Sequence, residues 1–392
     1  MTQIRPDSSP VAHGFVRDPQ TLAVYVLLAL LTSGYGIIGP LMPFLRAELG
    51  LTFTQGSYHT VALAVGTMAI GLGGQRLVAA LGRGHSIALT LVLMAVAQVM
   101  MTQARILPVS LAASVLFGAT VALSICVVPA VMSERHGPRL GLAIAEANTI
   151  AYLGVLVVPG IVSMSEAAIG WRWSFALPVA AYGLYWLSIR RLDFGVARPP
   201  VKGPAAGRLT AAYWWYWTML TLGISAEFGL MVWGASFLET VAALPRDLAL
   251  WASMIFPLGM VAGRIVGTLI MRHHPARRLA LPTLALAMAG VLVLVLTERV
   301  LISGAGLFLA GMGIANLYPV GITLAMQAAP DAADAAAARA SLASGSAILF
   351  APLVLGAIAD SAGLAAAFAV IPVLLVLAGF SLLAGHRAAS VS

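Results

Sequence analysis

Charged side chains are scarce in this sequence. Only 9% of the 392 residues are charged, whereas 60% are apolar and the mean hydropathy is +0.96. A soluble domain cannot hide that much apolar surface, because its own surface needs polar cover. The composition excludes a water-soluble protein and predicts an integral membrane protein.

Cysteine is almost absent as well. The single residue, Cys126, excludes an internal disulfide and a cysteine metal cluster, and we expect it to pack as a small core residue. No phosphate-binding loop is evident, which argues against direct drive by ATP. We therefore expect neither a metal nor an organic cofactor.

Long apolar runs, by contrast, recur along the whole chain. About 20 apolar residues cross the hydrocarbon core of a bilayer, so the chain has room for about twelve spans with short connections. We place the spans at residues 21–45, 57–81, 86–104, 107–132, 140–163, 172–190, 212–238, 249–271, 279–297, 301–327, 340–359 and 365–385.

The basic residues are unevenly distributed between the two sides of these spans. With a cytoplasmic N-terminus and alternating spans, the outer loops carry Arg46, Arg105, Arg172, Arg246 and Arg299, whereas most of the 22 basic residues lie on the inner side. This is the positive-inside bias. It predicts a multi-pass protein of the cell inner membrane with both termini in the cytoplasm. The net charge of +8 is then a signal of topology, and no nucleic-acid partner is expected.

A polar break divides the chain into two halves of six spans. The break, from Arg190 to Arg208, is rich in proline and glycine, as is typical of a flexible linker. The halves match at an offset of 192 or 193 residues, in the pairs Gly118 and Gly311, Pro159 and Pro352, Phe175 and Phe368, and Gly71 and Gly263. The sequence predicts a disordered cytoplasmic tail (1–20), an N-terminal bundle (21–190), a cytoplasmic linker (191–210), a C-terminal bundle (211–385) and a short cytoplasmic tail (386–392).

Two local motifs resemble those of a known family. The stretch Gly170-Trp171-Arg172-Trp173 looks like a signature frequent in the major facilitator superfamily, and residues 356–363 resemble the turn between its spans 11 and 12. The resemblance implies an all-α integral membrane fold of twelve transmembrane helices in two six-helix pseudo-repeats. It also implies a secondary transporter whose substrate binds at the midplane between the halves.

The sequence departs from the family pattern in two places. In the loop between spans 2 and 3, Gly82 and Arg83 are present, but Ala79 stands where the pattern has an acid and Gln75 where it has a glycine. Span 5 has no clear copy of the glycine- and proline-rich motif of drug/proton antiporters. Both departures argue against multidrug efflux.

Three clear cases of a charge deep inside a predicted span are present, and each such charge costs about 2.5–3.5 kcal/mol on insertion scales. Glu227 lies near the middle of span 7, and its counterpart in the first half is Tyr35 in span 1. The resemblance places both spans around the central cavity, so we expect Tyr35 to contact substrate. A carboxyl group removed from water there can bind and release protons, which predicts Glu227 as the proton-coupling residue. The alternative is a structural glutamate that holds two spans together.

The other two charges are Glu146 in span 5 and Arg264 in span 8. Both lie about two turns from the inner surface and thus at similar depth. In the fold that the resemblance implies, these spans face each other across the halves. We therefore predict that Glu146 and Arg264 form a gating ion pair that closes the inner side. The alternatives are a permanent structural pair and an arginine that reaches the inner surface.

Four further residues are candidates for substrate contact, with helix packing as the alternative for each: Trp233, Asn148, Asn316 and Tyr318. The sequence as a whole predicts a monomeric secondary active transporter, embedded in membrane lipid, that moves a small organic solute by alternating access with proton coupling. A uniporter, a drug efflux carrier and, less favoured, an integral-membrane enzyme are the alternatives.

Overall fold

The computed structural model describes residues 16–71, 73–196, 209–271, 273–297 and 299–390. This part of the chain is helical and contains no β-strand. Two short 3-10 turns, Gly137–Arg139 and Pro330–Ala332, accompany the α-helices. The α-helices are α1 (Pro19–Gly36), α2 (Ile38–Leu49), α3 (Phe53–Gly71), α4 (Gly74–Leu81), α5 (Arg83–Gln103), α6 (Leu107–His136), α7 (Leu140–Leu156), α8 (Val158–Ala168), α9 (Trp173–Ile189), α10 (Ala211–Thr240), α11 (Arg246–Ser253), α12 (Ile255–Met271), α13 (Ala276–Leu296), α14 (Val300–Ile314), α15 (Leu317–Gln327), α16 (Ala333–Ala362) and α17 (Leu364–Ala389).

Every predicted span falls on a helix or a helix pair. Within the described residues, ten helical stretches are long and apolar enough to cross a membrane, and the bent pair α3 and α4, which meet at 58°, adds an eleventh. The remaining predicted span, 172–190, corresponds to α9. The 17 residues of α9 rise about 25 Å, at the short end of the range for a spanning helix. The total of twelve spans stays a prediction that rests on α9.

Besides the bent pair α3 and α4, four spans consist of two helices joined at a break, and a proline explains each of these four breaks. Pro40, Pro159, Pro257 and Pro319 lie just after the junctions α1/α2, α7/α8, α11/α12 and α14/α15. A proline has no N–H to donate to the carbonyl four residues earlier, and its ring crowds that carbonyl. The helix is therefore interrupted within the span at these four places.

The two halves repeat the same helix packing. α1 packs on α7 as α10 packs on α16, and α5 packs on α6 as α13 packs on α14. A Cβ at Gly118 would lie 1.8 Å from a backbone oxygen of α3, and a Cβ at Gly311 would lie 2.4 Å from one of α12. These equivalent close contacts support the six-helix pseudo-repeat. Gly71 and Gly263, which match in the sequence, do not make equivalent contacts. Gly71 has open space around it, whereas Gly263 lies against a backbone oxygen of α14.

The halves are sealed against each other on the far side, by which we mean the side away from the start of α1 and the end of α17. The carboxylate of Asp360 accepts hydrogen bonds from the backbone N–H groups of Phe53 (2.7 Å) and Thr54 (2.8 Å). The hydroxyl of Ser57 donates to the carbonyl oxygen of Pro352 (2.7 Å). These contacts form the far-side seal, and they join the start of α3 in the first half to α16 in the second.

On the opposite, terminal side the halves stand apart around a cavity of about 330 Å³, the vestibule. Its walls are formed by Arg17, just before α1, and by side chains of α1, α7 and α12. The polar or charged side chains among them are Arg17, Tyr25, Glu146, Thr149, Arg264 and Thr268, and the others are apolar. The protein is thus open toward the terminal side and closed on the far side.

The predicted tails and linker fall largely outside the described residues, which omit 1–15 and 197–208. The described chain begins just before Asp18, which caps α1 by accepting from the Thr21 N–H (2.8 Å) and forms an ion pair with Arg135. Partial burial alone would raise the pKa of Asp18, but the hydrogen bonds from Thr21 and Arg135 lower it below its usual range. At the other end α17 continues to Ala389, so residues 386–389 of the predicted tail are helical.

Candidate substrate site between the halves

A hydrogen bond joins the two halves at the middle of the bundle. The hydroxyl of Tyr152, on α7 of the first half, donates to Oε1 of Glu227, on α10 of the second half, at 2.9 Å. Glu227 is only 7% exposed. The predicted intramembrane carboxyl therefore lies buried at the interface of the halves, with a partner from the other half.

Arg264 lies beside this pair. Its guanidinium carbon is 4.2 Å from the centre of the Tyr152 ring. Tyr152 therefore contacts Glu227 through its hydroxyl group and Arg264 through its ring. The Arg264 Nε atom is buried and has no hydrogen-bond partner. Among the ion pairs within 4 Å in the described part of the chain, none includes Arg264. This arginine thus carries a positive charge between the halves that no carboxylate contacts directly.

Two predicted substrate-contact residues complete the group. Tyr35 from α1 and Tyr318 from α15 lie close enough for the charges of Glu227 and Arg264 to act on their hydroxyl groups. We call Tyr35, Tyr152, Glu227, Arg264 and Tyr318 the central cluster. Spans 1, 5, 7, 8 and 10 each contribute one side chain to it, so both halves build the site.

The direction in which helical side chains lean explains why the cluster forms. Side chains lean toward the N-terminus of their own helix. α7 and α10 begin on the terminal side, so Tyr152 and Glu227 lean toward the vestibule. α12 runs the other way, so Arg264 leans from its position near the terminal side back toward the middle of the bundle, where the three side chains meet.

The same rule explains why Glu146 has a different partner from the predicted one. Arg17 donates two hydrogen bonds to the Glu146 carboxylate (2.9 and 2.7 Å), and the hydroxyl of Tyr25 donates a third (3.0 Å). The hydrogen bond and the charge of Glu146 raise the pKa of Arg17. Glu146 and Arg264 are at similar depth, but their helices run in opposite directions and their side chains lean apart. In this conformation both line the vestibule without forming the predicted ion pair.

Three other predicted substrate-contact residues have partners in helix packing. Trp233 is fully buried, and its indole N–H donates to the Pro352 carbonyl (3.2 Å) next to the far-side seal. The amide of Asn316 donates to the Gly263 carbonyl (2.8 Å) and holds span 10 against α12. Asn148 donates to a carbonyl of its own helix (2.9 Å). Contact of these three residues with a substrate stays a prediction.

Sequence reasoning missed Tyr152 and Arg17. Tyr152 lies four residues after Asn148 and therefore on the same face of α7, a spacing that could have identified it. Arg17 lies before the first span, and no local spacing relates it to Glu146, 129 residues later.

The central cluster separates two spaces of different size. The vestibule lies on its terminal side. Beyond Tyr152, toward the far side, lies a small space of about 30 Å³, the chamber, which is lined mostly by apolar side chains of both halves. A solute in the vestibule would have to pass the cluster to reach the chamber.

Two matching helical bundles around a buried polar cluster, open on one side only, define a membrane transporter for small solutes. The chain belongs to the Major Facilitator Superfamily, whose family model matches residues 24–336. Membership confirms the resemblance seen in the motifs. The family and the relatives below are transporters, which points to a protein that is not an enzyme.

Individual relatives agree with this assignment. The cyanate transport protein CynX of Escherichia coli (strain K12) is 26% identical over 320 residues, which cover 78% of this chain and 80% of that protein. A bacterial homologue of the human lysosomal transporter Spinster, solved inward-facing and unoccupied, has a TM-score of 0.74 at 14% identity over 94% of this chain and 96% of its own. The nucleoside transporter NupG has a TM-score of 0.73 at 14% identity over 93% and 99%. Both structures share the fold.

Proposed function

We propose that this protein is a secondary active transporter that moves a small organic solute by alternating access, with Glu227 as its proton-coupling residue. The observation that carries the proposal is the hydrogen bond from Tyr152 to Glu227, which joins the halves at a buried carboxyl group. In alternating access the halves rock against each other around a central site. Rocking of the halves has to change the hydrogen bond between Tyr152 and Glu227, and a proton on Glu227 changes the strength of that bond.

The two protonation states of Glu227 hold the halves together with different strength. The ionised carboxylate accepts a charge-assisted hydrogen bond from Tyr152, which is roughly twice as strong as a neutral one. It also attracts Arg264, which belongs to the same half as Glu227 and lies over the Tyr152 ring. Protonation weakens the hydrogen bond between the halves, so it favours the movement of α7 relative to α10 and α12.

The two ends of the site form the gates. The far-side seal has to open to admit solute from the far side, and the vestibule has to close at the same time. We propose that Glu146 exchanges Arg17 for Arg264 as α7 and α12 approach each other, which makes Glu146 and Arg264 the gating pair in the state closed to the terminal side. The distribution of basic residues supports a cytoplasmic location for the vestibule and both termini, and we propose that the protein acts as a monomer in the inner membrane.

Tyr35 and Tyr318 support a solute that accepts hydrogen bonds, because their hydroxyl groups lie at the cluster beside Arg264. Asn148, Asn316 and Trp233 would contact the solute only after rearrangement of their present hydrogen bonds. The similarity to a cyanate transport protein makes cyanate the first solute to assay.

The first test is transport driven by a pH gradient in proteoliposomes, with a panel of small solutes and a pH-sensitive dye inside. We expect the wild type to move protons together with one solute. Glu227→Gln, which keeps the shape but cannot ionise, should still exchange that solute while proton movement falls to the background of protein-free vesicles. Glu166→Gln, which removes a carboxyl group at the far-side end of α8, is the matched control and should behave as wild type.

Two results would contradict the proposal. Wild-type solute transport without proton movement would make the protein a uniporter or a carrier coupled to another ion. Undiminished proton movement in Glu227→Gln would leave the protein a proton-coupled carrier and assign the coupling to a different residue.

A further inference from the structure

We propose that Arg264 is the binding residue for a small monovalent anion, and that one such anion crosses the membrane together with one proton on Glu227. This inference rests on the proposed function and adds to it the charge of the substrate and the stoichiometry. The geometry that points to it is an arginine without a carboxylate contact, set between the halves at the boundary of the vestibule and the central cluster.

In the described part of the chain, no carboxylate lies within 4 Å of the Arg264 guanidinium. Its guanidinium lies over the Tyr152 ring, and its buried Nε atom has no hydrogen-bond partner. An arginine inside a spanning segment is costly unless it is paired or exposed to a water-filled cavity. Glu146, the other acid on the vestibule wall, is bound by Arg17 and Tyr25 in this conformation. Arg264 is therefore open to an anion here, and the anion leaves Arg264 when the proposed pair with Glu146 forms. A bound anion would complete the hydrogen bonding of Arg264.

The planar fork of a guanidinium suits a planar or linear anion. Two parallel N–H groups can bind two atoms of a carboxylate-like ion at once. Arg264 belongs to the vestibule wall, so a solute from the terminal side can reach it. The chamber beyond Tyr152 has about 30 Å³ of space, room on the order of two water molecules.

The balance of charge in the cluster sets the stoichiometry. The ionisable groups that face Glu227 in the described part of the chain are Tyr35, Tyr152, Arg264 and Tyr318, and only Arg264 carries a full positive charge. With Glu227 ionised, the cluster is neutral, and an added anion would leave a net negative charge in a low-dielectric site. With Glu227 protonated, Arg264 and one monovalent anion make the cluster neutral again. Proton and anion therefore bind together, and the loaded carrier has no net charge at its centre.

The test compares an anion with a neutral molecule of the same shape in proteoliposomes: formate against formamide, with cyanate as a second anion and protein-free vesicles as the background. The membrane potential is set by a potassium gradient and valinomycin. We expect uptake of formate or cyanate with protons at a one-to-one ratio, no uptake of formamide, and a rate that the membrane potential does not change.

Variants at Arg264 add a second measurement. Arg264→Gln should raise the KM for the anion by about tenfold or more, the effect of losing a hydrogen bond to a charged group. Arg264→Lys keeps the charge without the fork, so its KM should lie between wild type and Arg264→Gln while selectivity for anions remains. Arg339→Gln, which removes an equally positive charge near the terminal end of α16, is the matched control and should leave the KM unchanged.

The outcomes separate this inference from the proposed function. Proton-coupled uptake of formamide but not of the anions would overturn the anion site and leave proton coupling through Glu227 intact. Anion uptake driven by the membrane potential without protons would overturn both. If Arg264→Gln does not fold, Arg264→Lys and the wild type decide. An unchanged KM in Arg264→Lys together with wild-type uptake that depends on the membrane potential overturns the inference. A raised KM in Arg264→Lys together with wild-type uptake that is independent of the membrane potential supports it.

Discussion

Tyr152 connects three functions at a single side chain. Its hydroxyl binds Glu227, its ring supports the Arg264 guanidinium, and its carbon skeleton lines the chamber. Tyr152 thus touches the proposed proton site, the proposed anion site and the chamber beyond them. At the scale of single residues, coupling between proton and solute depends on this aromatic ring and its hydroxyl group.

Removal of that hydroxyl group should change the pH dependence of transport. In Tyr152→Phe the ring under Arg264 remains, but the ionised form of Glu227 loses a hydrogen bond of about 1.5–3 kcal/mol. At 1.36 kcal/mol per pH unit, the midpoint of the pH profile of uptake should move to higher pH by about one to two units. The sign follows because the lost bond stabilises only the ionised form, so the proton stays bound up to a higher pH.

The control for this prediction is Tyr185→Phe. It also removes a hydroxyl group, one that donates to the Ala23 carbonyl (2.7 Å) inside the first half. Its pH profile should match the wild type. A profile of Tyr152→Phe that coincides with that of the control would separate Tyr152 from the coupling mechanism.

At the scale of helices, the far-side seal depends on how closely α3 and α16 approach. A Cβ at Gly356 would lie 2.4 Å from the Ser57 hydroxyl oxygen and 2.8 Å from the Phe53 carbonyl oxygen. The seal therefore needs glycine at this position. Gly345, on the same helix, has open space around its Cα and tolerates a side chain.

We expect Gly356→Leu to shift the protein toward the state open on the far side. Crowding of this kind costs about 1–3 kcal/mol, and it penalises only the sealed state. The measurement is labelling of Ala235→Cys, a buried position of the chamber wall, by a membrane-impermeant maleimide in a Cys126→Ser background. Labelling should become about five- to 150-fold faster, since each 1.4 kcal/mol is about tenfold in an equilibrium. Gly345→Leu is the matched control, and equal labelling in the two leucine variants would refute the role of Gly356.

At the scale of the whole molecule, the two halves form one switch. α7 and α12 contact each other, and Arg264 of α12 lies over the Tyr152 ring of α7 in the central cluster. Helices are too stiff to open both ends at once without losing this central contact. Opening of the far side should therefore close the vestibule.

Cross-linking across the vestibule tests this coupling. Leu142 on α7 and Thr268 on α12 line opposite walls, and cysteines at both positions should react with a short bifunctional reagent only when the vestibule closes. Addition of Gly356→Leu should raise the cross-linked fraction, and addition of Glu146→Gln should lower it, because the proposed pair with Arg264 can no longer form. An unchanged fraction with Glu146→Gln would contradict the gating exchange, and an unchanged fraction with Gly356→Leu would contradict the single switch.

The sequence by itself determined the fold class and most of the helix positions. Charged residues are so scarce, and apolar runs so long, that only a membrane can surround the apolar surface. The repeated spacing of Gly118 and Gly311 indicated two equivalent bundles. Glu227 could be recognised for the same reason, since a carboxyl group in the middle of an apolar span needs an explanation.

Only the tertiary structure decided which side chains meet. The sequence places Glu146 and Arg264 at similar depth, but depth does not say which way a side chain leans, and the opposite directions of α7 and α12 separate the two. The same directions bring Arg264 to Tyr152 and Glu227. Arg17 reaches Glu146 only because the chain folds back across the terminal side of the bundle. Spacing along a chain determines depth in a membrane, whereas contact between spans depends on helix direction and packing.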